Sequence, residues 1–411
     1  MNVDNLRDNY SKLISYMEES GYSKIYTSRI ASEIKRILKL ANTKKWLCYT
    51  DVYMEYEKTS RSKDYLRNKQ NIIGAIEQFD VYGKYPDGKN RHKLFLRGAY
   101  PMLLPEFKAI IDYYCKAEKE RGKKDSTIHS ESHNASTFLL FQQQQGADSL
   151  NKITEKSVLA FFLSSEGKLY RGCTYKKNIA AVFKACIPYS TDVCKNIIAF
   201  LPALRERRKN IQYLTREEIG KIKVVLADNS SVLTLRDKAI GILALYTGLR
   251  GCDIAGMKIS SIDWNADVIC IKQQKTESLL KLPLTAIVGN ALYDYLTLER
   301  PQIESNYLFI SQNKPYRHIE SRSIGNVSIK IMTAAGIRQS KDDRKGFHIF
   351  RHHLATALLG NGVPQPVISK TLGHNSPDSL ETYLSADFLH LKECAISVEK
   401  FPISEGVFTD E

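Results

Sequence analysis

The stretch from Gly346 to Leu384, GFHIFRHHLATALLGNGVPQPVISKTLGHNSPDSLETYL, limits the fold most, because helix-forming runs alternate there with strong stops. Helical spacing over Phe347 to Leu359 puts His348 and Arg351 on one face and Phe350, Leu354 and Leu358 on another. One face is expected to pack, and the other to offer two cationic or donor groups. Asn361-Gly362 ends that run, and Pro364 and Pro366 force a break before the short run Val367 to Leu372. Ser376-Pro377 then supplies an N-cap with proline at the first helical position, so Asp378 to Leu384 is expected to be helical and to carry Tyr383. Two histidines, an arginine and a tyrosine thus sit on short, stiff elements.

The ordered set H-x-x-R, then L-G-H, then a tyrosine beyond that histidine resembles the C-terminal signature of the tyrosine recombinases, the phage lambda integrase and Xer family. That family also has an arginine in an upstream T-G-L-R turn. Thr247-Gly248-Leu249-Arg250 supplies one, with Asp253 where an acidic residue is usual. A lysine on a hairpin is the remaining requirement, and Val268 to Leu284 holds two short alternating runs around Lys275-Thr276. Lys272 and Lys281 compete with Lys275 for that role, because the hairpin register is not fixed by the sequence. The resemblance covers the last half of the chain with high specificity and the part before it more loosely. It implies the catalytic set Arg250, Lys275, His348, Arg351, His374 and Tyr383.

The chemistry those residue types suit agrees with the resemblance. A phosphodiester repels nucleophiles and has poor leaving groups, so its cleavage needs charge neutralisation and a proton donor. Arg250 and Arg351 can each fork onto two phosphate oxygens and stay charged. His348 and His374 can add hydrogen bonds or orient Tyr383. The resemblance makes Tyr383 the nucleophile, forming a 3′-phosphotyrosine and freeing a 5′-hydroxyl that Lys275 protonates. One ester replaces another, so no cofactor and no metal is expected. Each residue has a plainer reading: Arg250 could pair with Asp253, and Tyr383 is one of 23 tyrosines. His352 and His353 are read as structural, His352 also as a support for the site.

Composition bears on the partner. Sixty Lys and Arg stand against 45 Asp and Glu, giving a net charge of +15 and an isoelectric point near 9.2, which favours a polyanion. At 411 residues the chain is too long for one ordinary core. The eight cysteines, Cys115, Cys186 and Cys252 among them, form no C-x-x-C pair, which argues against a zinc site or disulfide framework and for reduced thiols. The N-terminus has no apolar signal-like run, and no stretch of membrane-spanning length occurs, so a soluble cytoplasmic protein of bacterial type, nucleoid-associated when DNA-bound, is expected.

The expected fold is mainly α: helical N-terminal and core-binding domains, then a mostly helical catalytic domain with a small antiparallel β-sheet. Helical runs fill residues 1–120, and the charged stretch Lys119 to Ser126, KERGKKDS, reads as a linker. Residues 121–208 form a second bundle, similar to the family's DNA-gripping core-binding domain and ending in the basic linker PALRERRKNIQ from Pro202. Lys69-Gln70-Asn71-Ile72 lies over Lys176-Lys177-Asn178-Ile179 at a constant offset, with Phe79 over Cys186, which suggests a weak internal duplication. Arg171, Thr174, Lys176 and Lys177 have the charge and hydroxyl groups to sit on phosphate, although solvated surface charge explains them equally well. A capping box, Thr215 with Glu218, opens the catalytic domain, residues 209–411.

The resemblance implies double-stranded DNA recombination sites as substrate, a homo-tetramer on DNA, and accessory DNA-bending or directionality proteins as further candidate partners. Phe388 to Val398 reads as an apolar helix, which either closes its own core or, as the family does, docks on a neighbouring subunit. The function implied is site-specific recombination: integration, excision or inversion, as on mobile genetic elements. The alternatives are a type IB topoisomerase or telomere resolvase, and a non-catalytic DNA-binding accessory protein.

Overall fold

The computed structural model describes residues 1, 3–44, 46–59, 62–87, 98–164, 168–204, 212–340, 343–374 and 380. The chain forms two units, Met1–Arg208 and Lys209–Glu411. The expected class holds: the described residues are mainly helical, with one three-stranded antiparallel sheet.

Two apolar cores lie in the first unit. Four helices, α1 (Val3–Glu19), α2 (Lys24–Lys44), α3 (Tyr49–Thr59) and α4 (Lys63–Tyr82), bury Leu6, Leu13, Ile30, Ile34, Ile37, Ile73 and Ile76. The isoleucines of α2 recur at helical spacing, so a single stripe faces inward. Five more helices build the second core: α5 (Pro105–Glu120), α6 (Asp125–Gln144), α7 (Glu155–Phe162), α8 (Cys173–Ala185) and α9 (Thr191–Ala199). Phe138, Phe161 and Phe183 meet there edge to face.

Helix α5 belongs to this second core, since Phe107, Ile110, Ile111 and Tyr114 share it with α6 and α8. A bundle boundary at residue 120 therefore cuts through one core, and the KERGKKDS stretch is a tight turn between packed helices. Two of its charges are engaged: Arg121 pairs with Glu118 at 2.9 Å, and Lys123 pairs with Glu118 at 2.8 Å and Glu131 at 2.7 Å, where Tyr114 also donates to Glu131. The proposed repeat falls on like positions. Ile72 and Ile179 are buried on α4 and α8, and Phe79 and Cys186 are buried near their ends.

The second unit opens with α10 (Arg216–Ala227), whose capping box is formed: Thr215 N donates to Glu218 and Glu218 N to the Thr215 hydroxyl. Next, α11 (Leu235–Thr247) is buried on nearly every side and packs against α13 (Ala286–Asp294), α14 (Ser321–Ala334) and α15 (His348–Gly360). A helix buried on nearly every side belongs at the centre, and the site is built at its C-terminal end. There the chain turns into α12 (Gly251–Ala255). The sheet follows as β1 (Ile262–Asp263), β2 (Val268–Lys272) and β3 (Leu279–Pro283). Its register pairs Ile269 with Leu282 and Ile271 with Leu280, so the four inward side chains are the buried ones. A π-helical turn, Tyr295–Glu299, extends α13. Last among the described helices is α16 (Gln365–Leu372). The expected helices over Asp378 to Leu384 and Phe388 to Val398 lie outside the described residues.

Candidate active site

Gly248 ends α11 in the left-handed conformation at φ 61°, which a residue without Cβ adopts at little cost. A Cβ there would also sit 2.9 Å from Leu354 and 3.0 Å from Leu372. The turn frees the Gly248 carbonyl and starts α12 with Arg250 at its N-cap. The Gly248 carbonyl accepts from Arg351 Nη1 at 3.0 Å, and the Leu372 carbonyl at the end of α16 accepts from Arg351 Nη2 at 2.7 Å. Arg351 is only 3% exposed, so the cationic face expected on α15 is in fact a buried guanidinium held from two sides. Both of these contacts are to carbonyl oxygens, which fix the direction of the guanidinium.

Arg250 approaches the same place. Its Nη2 lies 3.5 Å from the Gly373 carbonyl, and its Nη1 is 3.9 Å from Asp253 Oδ2, beyond hydrogen-bond range. Both of those last two atoms are buried and make no hydrogen bond among the described residues. The plain reading, Arg250 neutralised by Asp253, is therefore only partly met. Asp253 has other work, because its Oδ1 accepts from Gln274 N at 2.8 Å and so ties the β2–β3 loop to α12.

The three candidate lysines stand at different places on that hairpin. Lys272 and Lys281 are on the exposed face of the hairpin, and Lys281 stands opposite Cys270 in the register. Lys275 sits at the loop itself, and its charge reaches His348. The His348 pKa is lowered by burial and then by Arg351, Lys275 and Arg250. His374 is lowered to about 4 by burial and then by Arg351 and Arg250. Both shifts favour the neutral ring near pH 7.

His374 is set by a Schellman-type end to α16. Gly373 takes φ 65°, and the His374 N–H reaches back to the Ser369 carbonyl at 2.9 Å. His352 stacks on His348 with ring centroids 6.0 Å apart and is lowered to about 4 by burial, then by His348, Arg351 and Arg344. His353 faces away, its Nδ1 3.0 Å from the Leu214 carbonyl, which fits its structural reading. Tyr383 lies outside the described residues.

The sequence reading missed Gln273. Its side chain is fully buried, donates to the Leu372 carbonyl at 3.3 Å and accepts from the Thr276 hydroxyl at 2.7 Å. A signal was present: the inward positions of β2 run Ile269, Ile271, and the next is Gln273, a polar residue in the buried register. Among the described residues no three His, Cys, Asp or Glu side chains group as metal ligands.

In the first unit, Arg171 donates to the Phe161 carbonyl at 2.6 Å and lies 4.0 Å over the Phe161 ring, so its guanidinium braces the α7–α8 connection. Thr174 and Lys177 are exposed on one side of α8, with Lys176 half-buried between them.

Buried, carbonyl-held arginines and neutral histidines converging at helix ends beside a lysine-bearing hairpin define a site for handling an anionic ester. The phage integrase family model matches residues 212–390, a stretch that includes all six expected catalytic positions. The Sinorhizobium fredii protein y4gC, named for an integrase/recombinase, is 34% identical over 191 residues, covering 46% of this chain and 97% of y4gC. Tyrosine recombinase XerC of Listeria innocua is 23% identical over 291 residues, 69% of this chain and 94% of XerC. Among solved structures, XerH recombinase in a post-cleavage complex with palindromic difH substrate aligns with a TM-score of 0.55 at 17% identity, covering 86% of this chain and 95% of that one. A lambda integrase dimer bound to a COC′ core site gives 0.51 at 20% identity, covering 67% and 94%. These structures share the fold. The chain belongs to the phage integrase family, the tyrosine recombinases.

Proposed function

We propose that Arg250, Lys275, His348, Arg351, His374 and Tyr383 carry the chemistry by which this tyrosine-type site-specific recombinase cuts and rejoins DNA strands. The observation that carries the reading is the convergence of Arg351 and Arg250 on the carbonyls of Gly248, Leu372 and Gly373, which brings two guanidinium groups to one point where a phosphate can be held. In this reading the Tyr383 hydroxyl, made more acidic by the flanking cations, releases its proton to solvent as its oxygen attacks phosphorus, a 3′-phosphotyrosine bond forms, and the bond from phosphorus to the 5′ oxygen breaks. Lys275 gives its proton to that departing oxygen. The arginines take up the charge that develops on the non-bridging oxygens, and the neutral rings of His348 and His374 donate hydrogen bonds to the same group. The reverse attack by a 5′-hydroxyl rejoins the strand. Bond energy is conserved in each ester exchange, so the reaction calls for neither nucleotide nor metal.

The substrate in this proposal is double-stranded DNA, supported by family membership and by relatives solved on their DNA substrates. Thr174, Lys176 and Lys177 of α8 meet phosphates of that duplex, with Arg171 bracing the start of that helix against Phe161. Residues 98–204 are the core-binding bundle, and residues 3–82 are a second bundle of the same kind. Strand exchange joins two sites through four tyrosines, so we assign a homo-tetramer on DNA, linked through the segment 388–398. Action in the cytoplasm on a mobile element fits the reading, and no helix among the described residues is long and apolar enough to cross a membrane. The test uses a nicked duplex whose short downstream strand diffuses away after cutting. Wild-type protein in EDTA should accumulate a denaturant-resistant 3′ adduct, and Tyr383→Phe should form none. An adduct undiminished in the Phe variant, or one that needs a divalent ion, overturns the assignment.

A further inference from the structure

The β2–β3 loop is fastened at its base on two sides. Gln274 N lies on Asp253 of α12, beside Arg250, and the Gln273 side chain lies on the Leu372 carbonyl of α16, two residues before His374. Lys275 follows directly. Gln273 also closes the loop through its backbone: its N–H donates to the Ser278 carbonyl at 3.0 Å, and its carbonyl accepts from Glu277 N at 2.8 Å. On the far side its Oε1 takes the Thr276 hydroxyl, which in turn accepts from Ser278 Oγ at 2.8 Å.

The Leu372 carbonyl is a shared anchor, since it accepts from both Gln273 Nε2 and Arg351 Nη2. Gly373 makes the approach feasible: a Cβ there would fall 2.3 Å from Gln273 Oε1. Three pieces of the site, the lysine loop, the guanidinium of α15 and the turn that presents His374, therefore meet at the Leu372 carbonyl, which the fully buried Gln273 amide shares with Arg351. A buried primary amide whose donor and acceptor are both used holds its neighbours to a narrow range of positions. An apolar side chain of equal size fills the space without that constraint.

We infer that Gln273 is a positioning residue for strand cleavage, holding the loop that carries Lys275 against the Leu372–His374 turn so that the lysine stands within reach of the departing 5′ oxygen. The inference rests on the acid role proposed for Lys275. Its test is single-turnover cleavage of a nicked duplex carrying either an ordinary phosphate or a sulfur in place of the 5′ bridging oxygen. A thiolate leaves without a proton, so a defect confined to proton donation disappears on the sulfur substrate. Gln273→Met should cut the ordinary substrate about 10- to 100-fold more slowly, the scale expected for a displaced catalytic group. It should cut the sulfur substrate at nearly the wild-type rate, as Lys275→Ala does, with unchanged DNA affinity. Thr276→Val removes the hydroxyl that holds Oε1 and accepts from Ser278, and leaves the Gln273 amide itself in place. It should show the same pattern with a smaller defect, and it serves if Gln273→Met does not fold. If Lys275→Ala is rescued by sulfur while the Gln273 or Thr276 variant is equally slow on both substrates, the positioning role is wrong. Wild-type cleavage by both variants overturns it too. Failure of sulfur to rescue Lys275→Ala removes the acid role itself, and the inference with it.

Discussion

In the α2–α4 bundle, Lys69 lies 2.6 Å and Arg36 2.9 Å from the buried carboxylate of Glu33, and Arg36 reaches Glu55 as well at 3.2 Å. Both cations lie over the Tyr56 ring, at 4.4 and 4.5 Å, and the Tyr56 hydroxyl donates to Glu33. At the end of α11 the same kind of side chain is held differently: Arg351 is anchored by two neutral carbonyls, and Asp253 stands 3.9 Å from Arg250. The first arrangement cancels charge inside the fold. The second gathers its cations around neutral carbonyl oxygens, and burial first, then cations that include Arg351 and Arg250, lowers both His348 and His374. Residue type alone therefore does not separate a strut from a catalytic cation. What each guanidinium is tethered to does.

The largest effect that sharpens this contrast is expected in the second unit. Arg250→Ala and Arg351→Ala should retain most of the DNA affinity, which is spread over many cations, yet cleave about 100- to 1,000-fold more slowly, equivalent to roughly 3–4 kcal/mol of barrier. Gel-shift titration and single-turnover cleavage on the nicked duplex separate the two quantities. A parallel loss of binding and cleavage would make the arginines anchors like those of the first unit.

A smaller effect, and of the opposite kind, is expected for Glu33→Ala. It removes the carboxylate that Arg36 and Lys69 share, and breaking a buried ion pair typically costs about 3–5 kcal/mol. The two cations keep part of their solvent contact, so the loss should fall nearer about 2 kcal/mol. Urea denaturation of the full chain reports it, with single-turnover cleavage on saturating DNA little changed. A stable Glu33→Ala protein that cleaves slowly would erase the distinction between the two clusters.

Local chemistry is what the sequence made legible. Gly248 had to end a helix, Thr215 and Glu218 had to cap one, and the alternation on either side of Lys275 had to form a hairpin; each requirement involves residues a few positions apart. Arg351 could be placed on α15 from spacing, but its burial depends on carbonyls of Gly248 and Leu372, far away in the chain, which periodicity does not report. Gln273 was hidden for the same reason, although its inward register was visible. The bundle boundary failed on charge: KERGKKDS looks like a solvated linker, and only the fold brings Glu131 of α6 to Lys123. A charge run does not reveal whether its partner is water or a carboxylate.

The claim that the arginines at the end of α11 are coupled electrostatically to the site around them is tested most directly by the histidines beside them. NMR titration of the DNA-free protein should find His374 near 4 and His348 below the ordinary value of 6.5. The linkage has a definite sign: these rings stay neutral in the fold while the unfolded chain takes up protons, so stability should be full above pH 6.5 and fall as the pH drops toward 4. Adding duplex DNA to the Tyr383→Phe protein should move both values upward, because a phosphate placed on Arg250 and Arg351 offsets the charge that lowers them. Ordinary histidine values in the free protein, or values that do not move with DNA, would contradict the account.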